Sequence, residues 1–86
     1  MLRISRLESE DAVIFILEGK LLVAWLTELM AAIEGASKSK PVILDLAALS
    51  FADAAGARLL ARLERDGVSL RSASALLTAL IGAAAP

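Results

Sequence analysis

Chemistry in this chain of 86 residues has to be carried by carboxylates, arginines, lysines, hydroxyls and one tryptophan, because it contains no histidine and no cysteine. That removes the commonest general base, the thiolate nucleophile and the ordinary ligands of zinc, copper and iron. Two carboxylates stand in conspicuous places. Asp45 interrupts the apolar run VILDL, where a carboxylate either has a perturbed, functional ionisation or bonds nearby backbone at the end of a strand. Asp53 precedes AAGARLL with the spacing of a helix N-cap that accepts amide protons from Ala55 and Gly56, and the same side chain could also touch a partner. Gly56 admits two readings, close approach of another protein or relief of crowding in a first helical turn. Arg58, Arg62 and Arg65 line one side of the same segment. They form either a patch for an anion or an acidic partner, or a solvated helix face diluted by Glu64 and Asp66. Trp25 is either an interface anchor or a core residue on a stripe with Leu22 and Leu29. Neither GxxxxGK[ST] nor GxGxxG occurs, so no glycine loop cradles a phosphate. A stand-alone enzyme would require a convergent acid–base pair, whereas the carboxylates here are scattered. The chain is therefore expected not to be an enzyme and to need no cofactor and no metal.

Composition limits the partners. Nine Lys plus Arg against ten Asp plus Glu give a net charge of −1, so no global field attracts nucleic acid or an acidic membrane surface. Two Phe, one Trp and no Tyr leave little on which bases could stack. Although 58% of the residues are hydrophobic, a membrane span needs about 20 consecutive apolar residues. The longest uncharged stretches, 21–27 and 72–86, are too short or broken by Ser, Thr and Gly. Arg3, Arg6, Glu8, Glu10 and Asp11 interrupt any signal-peptide core. The expectation is a cytoplasmic protein without direct membrane insertion, one domain over 1–86 with a tail at 82–86.

The elements that must position these residues follow from periodicity. Residues 2–7 begin with apolar–polar alternation and read as a half-buried strand, followed by an acidic turn. AVIFIL at 12–17 is apolar on both faces, as in an inner strand, and 18–20 end it. Leu22, Leu26, Leu29, Met30 and Ile33 make one stripe on a helix with Gly35 as a stop. Pro41 leads into the buried strand VILDL at 42–46. A second helix follows Asp53, with Leu59, Leu60 and Leu63 inward and Gly67 at its C-terminal end. A short strand at 68–72 and a last helix at 75–81 complete the order β-β-α-β-α-β-α. This is an α/β fold with a mixed four-stranded sheet whose first two strands form a hairpin and whose crossovers are right-handed. With the helices on one face, the other face of two doubly apolar strands must be covered by the last helix, by a partner, or by a second copy in a homodimer.

This order, with PVILDLAALSFADAAGARLL at its centre, resembles the STAS domain, the family of sulfate-transporter cytoplasmic domains and bacterial anti-sigma factor antagonists. The resemblance rests on VILDL, the short loop ending in Ser50 and Phe51, and Asp53-Ala54-Ala55-Gly56 opening a helix, with GKLL at 19–22 as weaker support. It implies a docking face made by Ala52, Asp53, Ala54, Ala55 and Gly56 with Arg58 and Arg62 beside them. It also implies a protein partner, an anti-sigma factor or related kinase-like regulator, or else a place as a small subunit docked on the ATPase of a membrane transport assembly. In kinase-switched antagonists the family pattern puts a phosphorylatable Ser or Thr immediately before the glycine. Here that position is Ala55, preceded by Ala54, so no hydroxyl is present to accept phosphate.

Overall fold

The computed structural model describes residues 1–36 and 40–85. Alternating residues in strand β1 (Leu2–Glu8) and strand β2 (Val13–Leu21) pair antiparallel, with Ile4 opposite Leu17 and Leu7 opposite Ile14. Ser9 closes the turn between them. Its hydroxyl oxygen accepts the Ala12 N–H at 3.1 Å, and its own N–H donates to the Ala12 carbonyl at 2.9 Å. Strand β3 (Val42–Ala52) lies parallel to β2, and strand β4 (Ser69–Arg71) parallel to β3, in the order β1-β2-β3-β4.

Between β2 and β3 the chain makes one 3₁₀ turn (Val23–Trp25) and helix α1 (Leu26–Ala36); helix α2 (Ala54–Arg65) and helix α3 (Ala75–Ala84) follow β3 and β4. Val13, Phe15 and Leu17 of β2 and Val42, Leu44 and Leu46 of β3 are buried with Leu29, Leu60 and Leu77 of the three helices, so one sheet face and all three helices share one core. Among the described residues no polar or charged side chain is buried.

Among the described residues no helix lies over the opposite face. There Leu7, Ile14 and Ile43 stand in register across three strands; Leu7 is 55% exposed and the two isoleucines are half-buried. The last helix does not supply the missing cover: α3 buries Leu77 and Ile81 in the core and packs against α2 and β3.

Several boundaries differ from periodicity. Strand β2 runs through Glu18 and Gly19 to Leu21, and β3 runs past Leu46 to Ala52, because bulges after Ile16 and after Gly19 absorb the mismatch between the two strands. Gly19 has φ +99°, and a Cβ there would collide with the Met1 carbonyl, so the glycine sits inside the strand rather than ending it. Helix α1 continues through Gly35. Residues 82–84 are helical rather than a tail, since Ser74 caps α3 through the Leu77 N–H at 3.1 Å and the alanines that follow carry the helix onward. At the other end of α2, Gly67 takes φ +104°, and Gly67 and Val68 donate to the carbonyls of Glu64 and Leu63, a Schellman ending.

The hairpin is tied to the entry of β3 by Lys40, whose Nζ donates to Glu8 Oε2 at 3.1 Å and to the Ser9 carbonyl at 2.7 Å, while Arg6 reaches Glu8 Oε1 at 2.8 Å. The Lys40 hydrogen bond, helped by Arg6, holds the Glu8 carboxyl below its ordinary value of 4.5. Its contribution to stability is thus present above that ordinary value and is lost as pH falls through the lowered one. Carboxyl-detected NMR should find the Glu8 midpoint depressed, and Lys40→Ala should return it toward 4.5; an unmoved midpoint would break this assignment.

Candidate functional site

The loop between β3 and α2 is held by Asp53. Its backbone is extended (φ −74°, ψ 179°), which places both carboxylate oxygens over the ends of neighbouring elements. Oδ1 accepts the Gly56 N–H at 2.8 Å and caps α2; Oδ2 accepts the Val23 N–H at 2.8 Å, thirty residues away in sequence. The Asp53 N–H donates to the Leu21 carbonyl at 3.1 Å, and its carbonyl accepts the Ala57 N–H at 2.8 Å. One residue therefore locks the end of β2, the 3₁₀ turn, the end of β3 and the start of α2. The capping reading of Asp53 holds, with Gly56 as the amide rather than Ala55.

Gly56 is buried, and a Cβ on it would lie 2.5 Å from the Leu21 carbonyl oxygen. The close approach at this glycine is internal: the first turn of α2 sits on the end of β2. Ala52 is also buried, 1% exposed. Of the residues expected to form a docking face, Ala52, Asp53 and Gly56 build the loop, while Ala54 is exposed, Ala55 half-exposed, and Arg58 and Arg62 exposed. Two further residues join this surface, Val23 (64% exposed) beside Asp53 and Phe51 (38% exposed) at the end of β3. The signal for Phe51 was a large aromatic side chain just before the turn. Val23 carries none, because its place depends on the long-range bond to Asp53.

Grooves of about 400 Å³ flank α2 on each side. The groove toward α3 runs past Phe51, Asp53, Ala54 and Leu80. The groove toward α1 has Leu26, Met30 and Leu59 as floor and Arg58, Arg62 and Arg65 along it. Arg62 lays its guanidinium 4.0 Å from the Met30 sulfur. Trp25, half-buried, packs against the edge of the core.

Asp45 lies apart from this site, on the sheet face turned away from the helices, where its Oδ1 accepts the Ala47 N–H at 3.0 Å next to the first bulge of β3. That bond to nearby backbone is the local role its position in the strand admitted. Ser50 spends its hydroxyl on the Gly19 carbonyl at 2.9 Å. No acid–base pair is formed between the two carboxylates singled out from the sequence.

Among the described residues no helix is long and apolar enough to cross a membrane. The family model of the STAS domain matches residues 3–77, from β1 into the first turn of α3. A search of curated proteins found no match.

Proposed function

Because the chain belongs to the STAS domain family, whose members are in general binding rather than catalytic domains, we propose that it is a non-catalytic protein-binding module of the anti-sigma factor antagonist kind. The observation that carries this reading is the uncharged, accessible start of α2, with Ala54 exposed and Ala55 half-exposed beside Val23 and Phe51 on a loop braced by four hydrogen bonds of Asp53. A preformed surface loses little conformational freedom on binding, so small side chains there let a partner backbone approach closely. A phosphate at Ala55 would add about two negative charges and three acceptor oxygens to such a contact. Alanine makes this surface constitutively uncharged, and control of binding then rests with the partner or with expression. The partner would be an anti-sigma factor or a related kinase-like regulator in the cytoplasm.

Ala55→Asp tests this. The new charge must be desolvated or repelled by a partner that fits alanine, so affinity should fall at least tenfold, about 1.4 kcal/mol. The fold should change little, because an acidic residue in the first turn interacts favourably with the helix dipole. Calorimetric titration against sigma-regulatory proteins encoded near the gene measures the first effect and a thermal scan the second. Unchanged affinity would remove this loop from the interface. Binding only to a permease-associated ATPase, again abolished by Ala55→Asp, would keep the face and replace the partner.

A further inference from the structure

The groove between α1 and α2 has a composition that the loop surface alone does not account for. Arg58, Arg62 and Arg65, spaced by four and three residues, fall on one stripe of α2 with Ala55 at its head. Among the described residues no carboxylate lies within ion-pair distance of these arginines. Among the described residues the groove lining carries three cationic side chains and no acidic one. Its floor is apolar, and Arg62 is already laid along that floor through Met30.

We infer that this groove receives an acidic amphipathic helix of the protein partner, its apolar stripe on Leu26, Met30 and Leu59 and its carboxylates on the arginines. The inference rests on the protein-binding reading above and names the chemistry of the partner. The length fits: from Ala55 to Arg65 the stripe rises about 15 Å, roughly three helical turns. A single small anion would need converging donors, whereas these charges are strung over about 10 Å of helix from Arg58 to Arg65. A nucleic acid would need a broader cationic field than a chain of net charge −1 provides, and no aromatic residue lines the groove. Arginine is also the cation best suited to bidentate carboxylate contacts at a partly desolvated interface. Small residues at the head of the groove, Ala55 and Ala84, leave room for a third helix at ordinary helix-packing distance.

The probe is a synthetic amphipathic peptide of about five turns with a leucine stripe flanked by glutamates, set against the same peptide with lysines for glutamates. Titrated into the ¹⁵N-labelled full chain at low salt, the glutamate peptide should bind at least tenfold more tightly than the lysine peptide. Its shifts should centre on Leu26, Met30 and Leu59, and it should weaken as salt rises. Arg62→Glu with Arg65→Glu should abolish that preference. The paired glutamine variant, Arg62→Gln with Arg65→Gln, should reduce it without the charge reversal that could disturb the end of α2. Equal binding of both peptides, or a glutamate preference that survives both variants, overturns the inference. Tighter binding of duplex DNA or phosphatidylglycerol vesicles at the same arginines overturns it as well. The protein-binding reading is judged separately: partner affinity lost in Ala55→Asp but intact in Arg62→Glu with Arg65→Glu leaves that reading standing and the acidic helix refuted.

Discussion

Replacing Gly56 with alanine is expected to destabilise the domain by about 2 kcal/mol, although the same exchange inside most helices stabilises. Helix propensity favours alanine over glycine by about 1 kcal/mol at most, and less near a helix start. Against this stands a Cβ placed 2.5 Å from the Leu21 carbonyl oxygen and 3.1 Å from the Leu21 Cγ. Neither atom can retreat cheaply. The carbonyl accepts the Asp53 N–H at 3.1 Å, and the Leu21 side chain is 0% exposed in the core. Overpacking of this kind costs about 1–3 kcal/mol, so steric conflict outweighs the gain. In a domain of this size a loss near 2 kcal/mol lowers the thermal midpoint by roughly 8–16 °C. A midpoint that rises instead would mean that the junction yields freely, and the glycine would then have to be explained by the approach of a partner.

Asp53→Ala should have an effect of similar size by a different route. It leaves the Gly56 and Val23 amides without the carboxylate that each now meets at 2.8 Å. Loss of an N-cap costs about 1 kcal/mol. The bond to Val23 lies in a more exposed setting, where water replaces part of it, and adds about another 1 kcal/mol. Asp53→Asn retains one carbonyl oxygen and should recover part of the loss, keeping the cap of α2 in preference to the reach to Val23. Chemical denaturation of the two variants gives the order directly; an asparagine variant no better than alanine would mean that charge matters here more than geometry. Because Gly56→Ala and Asp53→Ala disturb one junction, the double variant should lose less than the two single losses together. On the protein-binding reading proposed above, partner affinity should fall in both, through displacement of Val23 and Ala54 from their present positions.

The sequence by itself determined the order of elements, the hairpin, the parallel crossovers, the cap at Asp53 and the glycine ending of α2. These are local matters: a two-residue or 3.6-residue apolar period, or a side chain within three residues of the amide it satisfies. It also determined that Ala54 and Ala55, two residues without a hydroxyl, open α2. Only the tertiary structure decided that β2 and β3 continue to Leu21 and Ala52, because bulges depend on which strand lies alongside. It decided that Gly56 lies against Leu21 and that Asp53 reaches Val23, contacts between residues 30 or more positions apart. It placed the last helix on the core side, leaving Leu7, Ile14 and Ile43 uncovered, and it gathered the arginines of α2 over Leu26 and Met30 of α1. A periodic pattern states which face of an element is apolar; what that face meets is set by the packing of elements distant in sequence.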